Sequence, residues 1–216
     1  KPKVSFREAF GTAIEHIYTH KKQSGGSGQF AEVKMVFEPL PYGSGVEWSD
    51  EVTGGRIPRE FIPAVQHAIM TESKKGQIAG YEVVDFKARL LDGKYHDVDS
   101  SALAFEIAGR SCFRESHKAS RPKLLEPIMG VEVVTEADYL GDVIGDMNRR
   151  RGQVTDQGHK GPSAFIQGFV PLAEMFGHIN FLRSATRARG TFTRALATSA
   201  QLPPAPVGNP PPKENT

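Results

Sequence analysis

The chain has 216 residues, with 27 Lys+Arg against 25 Asp+Glu, 38% hydrophobic residues and one cysteine. That length can bury a substantial core in one large or two ordinary domains. Cys112 alone excludes a disulfide framework or a cysteine-based zinc site and points to a reducing compartment.

No apolar run nears the ~20 residues of a membrane span, and no signal segment opens the chain. Starting at Lys1 rather than Met, the sequence reads as a piece of something longer. Val4 to Tyr18 fits either a strand or a helix with Phe6, Phe10, Ile14 and Ile17 on one face. A glycine-rich turn, Lys21-Lys22-Gln23-Ser24-Gly25-Gly26-Ser27-Gly28, precedes a strand-like alternation from Phe30 to Phe37. A helix is predicted after Ile62, with Pro63 in its first turn, Val65, Ala68 and Ile69 inward, and Lys74-Lys75-Gly76 closing it. Tyr81 to Leu91 reads as a strand. Asp92-Gly93 and the polar run His96-Asp97-Val98-Asp99-Ser100-Ser101 then lead to a helix ending near Lys118. Asp99 or Ser100 is its expected N-cap, and Leu103, Phe105, Ile107, Ala108 and Cys112 its buried face. A break at Ser120-Arg121-Pro122-Lys123 divides the folded part.

The second part opens with a strand, Ile128 to Val134, and a capping-box pattern, Thr135-Glu136-Ala137-Asp138. Tyr139, Leu140, Val143, Ile144 and Met147 then recur at helical spacing, and Arg149-Arg150-Arg151-Gly152 closes the helix. Gly141 and Gly145, one turn apart, imply close helix–sheet packing. Strands follow near Gln153 to Thr155 and Ala164 to Val170, with a turn from Gly158 to Pro162 between them. Pro171 opens a second helix, with Leu172, Met175, Phe176, Ile179 and Leu182 inward and Arg187-Ala188-Arg189-Gly190 at its end. Thr191 to Ala197 is the last strand. The order β-α-β-β-α-β is the split pattern of a ferredoxin-like sandwich. If its helices run parallel, Arg149, Arg150 and Arg151 share a pole with Arg183, Arg187 and Arg189. Such a cluster suits phosphate contacts, or else merely complements helix dipoles. Beyond it, Gln201 to Thr216 holds six of the fifteen prolines and should be extended or disordered.

Two motifs invite chemistry. Gly26-Ser27-Gly28-Gln29-Phe30-Ala31 matches G-x-G-x-x-A, but a strand follows where a dinucleotide site needs a helix. No phosphate-binding G-x-x-x-x-G-K-[ST] loop occurs. The segment is then a hairpin tip, either simply flexible or inserted into a partner with Lys21 and Lys22 facing phosphates. His96, Asp97 and Asp99 could serve acid–base or metal chemistry, for instance a metal-dependent RNA phosphodiesterase. A calcium loop is excluded, because Ala102 and Ala108 replace the needed glycine and glutamate. No second histidine cluster supplies transition-metal ligands, and a structural turn is an equal reading. The remaining histidines are scattered, and Cys112 reads as inert core.

Several segments together carry a family resemblance. They are Lys22-Gln23-Ser24-Gly25-Gly26, Gly80-Tyr81-Glu82-Val83-Val84-Asp85, Tyr95-His96-Asp97-Val98-Asp99-Ser100-Ser101 and Leu125-Glu126-Pro127-Ile128-Met129. Gly141-Asp142-Val143-Ile144-Gly145-Asp146, Asn148-Arg149-Arg150-Arg151-Gly152 and Pro171-Leu172-Ala173-Glu174-Met175-Phe176-Gly177 follow in order. Over residues 1 to 193 the chain resembles the fourth and fifth domains of elongation factor G, bacterial or organellar.

The resemblance implies an α+β chain. Residues 1–121 would form an elongated, ribosomal-protein-like α/β sandwich, residues 122–197 a ferredoxin-like domain, and residues 198–216 a disordered Pro-rich tail. It implies a part of a translational GTPase that moves tRNA and mRNA through the ribosome. Lys22, Gln23, Ser24, Gly25, Gly26, His96 and Asp97 would then be tip residues in the decoding A site. The arginine pole would face ribosomal RNA. No catalytic or metal-binding residue is expected here; GTP and magnesium would be bound by the missing N-terminal domains, themselves partners of this segment. The implied setting is cytoplasm or an organelle matrix, with no membrane. A paralogue for ribosome recycling or ribosome protection is the nearest alternative. After Thr193 the family continues with an acidic-aromatic strand ending and a helix, where this chain has Arg194-Ala195-Leu196-Ala197 and the prolines.

Overall fold

The computed structural model describes residues 6–23, 26, 28–186 and 190–200, the side chains of 160, 179 and 192–200 excepted. Contacts divide the chain into two compact units, one of Arg7–Leu124 and one from Leu125 onward.

In the first unit the short β1 (Arg7–Ala9) bridges to Val83 through Glu8. The ambiguous segment after it is a strand, β2 (Ile14–Lys22), because its half-buried residues alternate rather than recur at helical spacing. It pairs antiparallel with β3 (Gln29–Pro39), from Ile14↔Phe37 to Lys22↔Gln29. β4 (Val46–Asp50), not expected from sequence, joins β5 (Phe86–Lys94) in parallel, giving the order β2-β3-β5-β4. Ala31, Val33, Met35 and Phe37 of β3, with Phe86, Ala88 and Leu90 of β5, are fully buried. They share a core with Val65 and Ile69 of α1 (Ile62–Glu72), and with Phe105, Ala108, Cys112 and Phe113 of α2 (Ala102–Ala119). Phe10 stacks on Phe37 at 5.3 Å and meets Phe113 edge-on at 5.7 Å, a packing worth more than burial alone.

Three expectations need correction here. The strand from Tyr81 is interrupted, since Asp85 has φ 55° and the inward parity passes from Val83 to Phe86. The strand does not end at Leu91, since Asp92 and Gly93 are part of β5. A Cβ on Gly93 would lie 2.3 Å from the Glu32 carbonyl oxygen, beside a bulge between Lys34 and Met35, so only glycine fits. The N-cap of α2 is Ser101, whose Oγ accepts from Ala104 N–H at 3.1 Å, and Leu103 is exposed.

The second unit holds β6 (Lys123–Glu136), α3 (Leu140–Arg149), β7 (Gln153–Lys160), β8 (Ser163–Pro171), α4 (His178–Ala185) and β9 (Thr191–Ala200). The antiparallel order β9-β6-β8-β7 is the ferredoxin-like arrangement. Val131, Val133, Ile166 and Val170 pack against Val143, Met147 and Leu182. The capping box does not form: Thr135 and Glu136 complete β6, and a 3₁₀ turn, Ala137–Tyr139, precedes α3. No described atom beyond the helix's own backbone lies within 4 Å of a Cβ built on Gly141 or Gly145, so neither glycine serves tight packing. The helix expected from Pro171 is divided into a 3₁₀ turn, Leu172–Glu174, and α4, because Gly177 takes φ 76° between them and leaves Phe176 exposed. The proline-rich tail lies outside the described residues.

Candidate nucleic-acid interface

The β2–β3 hairpin ends its pairing at Lys22↔Gln29, leaving Lys22, Gln23 and Gly26 exposed. Ser24 and Gly25 lie outside the described residues. Segment 96–101 is fastened to the turn end of this hairpin, at Phe30. Phe30 N–H donates to the Asp99 carbonyl at 2.9 Å, and Ser100 Oγ donates to the Phe30 carbonyl at 2.6 Å. The same Oγ accepts from His96 N–H at 2.9 Å, while Ser100 N–H reaches the His96 carbonyl at 3.1 Å. The His96 imidazole lies flat on Phe30, centroids 3.8 Å apart and planes 3° from parallel. Both predicted tip segments therefore meet at one end of the sheet.

His96 and Asp97 are exposed there, and Val98 is 89% exposed. The Asp99 carboxylate sits close to Gly28, 3.0 Å from a Cβ built there. Among the described residues no group of three His, Cys, Asp or Glu is placed to hold a metal ion. What this surface offers is an aromatic face, ring nitrogens, a carboxylate, amines at Lys21 and Lys22 and exposed backbone. Those groups can hydrogen-bond and stack.

The arginine pole is not as expected. Thr191 at the start of β9 pairs with Val134 near the end of β6, while Gln153 at the start of β7 pairs with Phe169, which lies opposite Gly130, four residues earlier in β6. The connections therefore run α3 and α4 in opposite directions, and Arg183 belongs to the pole away from Arg149, Arg150 and Arg151. Arg187 and Arg189 lie outside the described residues.

Two of the three remaining arginines are committed within their own unit. Arg150 donates through Nε to Asp146 Oδ2 at 2.8 Å and through Nη1 to the carbonyls of Glu174 (2.7 Å) and Phe176 (3.0 Å). Arg151 grips Glu126 with both Nη atoms, at 2.8 and 3.1 Å, and faces Glu174 through Nε at 3.3 Å. These contacts, Glu126 foremost, raise the Arg151 pKa. Arg151, not Gly152, holds the left-handed position after α3, at φ 55°, with Gly152 N–H closing on the Met147 carbonyl at 2.8 Å. That strain costs about 1–2 kcal/mol, which the bidentate pair helps to offset. The Arg149 side chain is 69% exposed, against 18% for Arg150, and lies over the Phe181 ring at 5.2 Å.

Sequence reasoning missed Phe30 as a site residue, although one signal was present. It shares its strand parity with Glu32, Lys34, Val36 and Glu38, a face on which three of the four others are charged. It also missed His178, buried on Asp146 at 2.7 Å, which no periodicity could reveal.

The chain is thus an α/β sandwich whose hairpin end and His96 loop meet in one exposed tip, followed by a ferredoxin-like unit. Two family models match: "Elongation factor G, domain IV" over residues 2–121 and "Elongation factor G C-terminus" over residues 123–208. The chain belongs to the elongation factor G family. It is 55% identical over 192 residues to elongation factor G of Granulibacter bethesdensis, covering 89% of this chain and 28% of that protein. It is 53% identical over 202 residues to that of Ruegeria sp. strain TM1040, covering 94% of this chain and 29% of the relative. The crystal structure of ttk003000868 from Thermus thermophilus is similar, with a TM-score of 0.77 and 35% identity, over 94% of this chain and 30% of that one. The chain thus spans less than a third of the length of these relatives.

Proposed function

We propose that this chain is the ribosome-contacting part of a translocation factor, and that it acts by binding alone. The observation that carries the proposal is the union of the hairpin end and the His96 loop into one exposed tip, in a chain of this family. Residues 1–121 would enter the decoding A site beside tRNA and mRNA, with Lys22, Gln23, Ser24, Gly25, Gly26, His96 and Asp97 nearest the nucleic acid. Residues 122–197 would lie against ribosomal RNA. Occupying space that a tRNA has left biases the tRNA against return, so binding free energy becomes direction. GTP and magnesium belong to the intact factor. No step of GTP chemistry is derived for this chain. Cytoplasm, or an organelle matrix, is the setting this reading requires.

His96→Ala in the intact factor is expected to slow single-turnover translocation about tenfold, equivalent to about 1.4 kcal/mol, with ribosome-stimulated GTP hydrolysis within about twofold of normal. Rapid-kinetic traces with the opposite pattern would remove His96 from the tip. Of the three arginines at the end of α3, Arg149 is the one placed for an RNA-facing role. Arg149→Ala is expected to make log affinity for the ribosome less steep against log salt by about one. An unchanged slope would leave Arg149 a solvated cation.

A further inference from the structure

We infer that Phe30, together with Ser100, is a positioning residue for His96, so that the hairpin and the His96 loop present the imidazole as one rigid unit. The inference rests on the proposed role of the tip and names what holds it in shape. His96 is exposed and sits in a segment with few other anchors: Tyr95, Asp97 and Val98 beside it are exposed as well. A side chain in such a place ordinarily samples several rotamers, and ordering it on binding costs affinity. Here the backbone and the ring each have a specific restraint. The His96 backbone N–H is held by Ser100 Oγ, and that hydroxyl is itself oriented by donating to the Phe30 carbonyl at 2.6 Å. The Phe30 amide closes the link through Asp99, and the Phe30 ring fixes the imidazole plane at 3.8 Å and 3°.

The direction of the restraint follows from the fold. Phe30 belongs to β3 and is paired there with Lys21 of β2, two residues before β3 also pairs with β5 at Glu32, whereas His96 lies in a loop. The strand is the fixed element and the loop is what it holds. With one face covered, the imidazole keeps its other face and its ring edge, including the nitrogens, for an incoming base or phosphate oxygen. A preorganised ring loses less freedom on docking, which is the gain expected from the stack.

The test combines a structural signature with a double-mutant cycle. In this chain, the His96 carbon-bound ring protons should be shifted upfield by the Phe30 ring current. F30L should abolish that shift and F30Y should retain it. In the intact factor, F30L should slow translocation about fivefold, F30Y less than about twofold, and F30L combined with H96A no more than H96A alone. An unshifted His96 ring in the unaltered chain, or additive losses in the double variant, would overturn the positioning role. If H96A leaves translocation unchanged while the upfield shift is present, the tip's proposed function fails and the packing arrangement stands. S100A should weaken the shift partially while leaving the thermal transition within a few degrees, because α2 is capped by Ser101 rather than Ser100. A full loss of folding in both F30L and F30Y would make Phe30 a structural residue only.

Discussion

Replacing Glu8 with alanine is expected to lower the stability of the first unit by about 3–5 kcal/mol. The carboxylate is fully buried, and both of its oxygens accept from donors. Ala79 N–H (2.8 Å) and Tyr81 N–H (3.2 Å) reach Oε1; Ile78 N–H (3.1 Å) and His117 Nε2 (2.9 Å) reach Oε2. Truncation takes the acceptor from four donors at once and loosens the 76–81 loop. Burial alone would push the Glu8 pKa up. The hydrogen bonds from His117, Ala79, Ile78 and Tyr81 outweigh it, and the net shift is downward from 4.5. The sign follows directly: the folded carboxylate holds its charge more firmly than the unfolded one. Its contribution is complete above about pH 4.5 and is lost as pH falls through the lower folded value. Trp48, the only tryptophan of the chain, packs against this core and reports the unit's urea transition by fluorescence. Glu8→Gln, which keeps one acceptor oxygen, should lose less and should lack the acid dependence. A loss below about 1 kcal/mol for Glu8→Ala would mean that water replaces the carboxylate at little cost.

Glu8 also marks where sequence reading stops. Local features are legible: the β3 alternation, the inward face of α1, the βαββαβ order and the hairpin all follow from periodicity and punctuation. Phe86, Ala88 and Leu90 fall on one face by alternation, but the pleat break at Asp85 does not show, because a non-glycine residue at φ 55° carries no compositional mark. The capping-box letters at Thr135 to Asp138 are present and unused, since β6 continues through Thr135 and Glu136 to pair with Ala164 and Ser163 of β8. Cross-strand pairing outweighs a cap worth about 1 kcal/mol. His96 and Asp97 stand out as polar loop residues, whereas Phe30 and Ser100 depend on a contact some seventy residues apart in the chain. The six arginines look equivalent in the sequence. Only pairing directions and carboxylate positions separate Arg149 from Arg150, Arg151 and Arg183.

Asp146→Ala should be the most damaging single change in the second unit, again by about 3–5 kcal/mol. Asp146 is buried on α3, between the fully buried His178 Nδ1 at 2.7 Å and the Arg150 Nε at 2.8 Å. Arg150 in turn holds the carbonyls of Glu174 and Phe176, which lead into the left-handed Gly177 and the first turn of α4. One carboxylate therefore fixes the end of one helix and the beginning of the next. Without it a guanidinium and an imidazole lose the acceptor they share, and α4, only eight residues long, is too short to hold its own start. Asp146→Asn keeps the shape and one acceptor and should cost less. The pH response has a different window from that of Glu8. Burial lowers the His178 pKa below 6.5, Asp146 opposes this, and Arg150 adds to the lowering. The unfolded chain then takes up the proton first, so stability is complete above about pH 6.5 and declines as pH falls toward the folded value. Acid should weaken the second unit about two pH units before Glu8 begins to weaken the first. Histidine proton resonances of His178, followed beside Trp48 fluorescence during acid titration, read the two units separately. Coincident transitions, or a second unit whose stability is flat between about pH 7 and 5, would refute the assignment of the acid response to the Asp146–His178 pair.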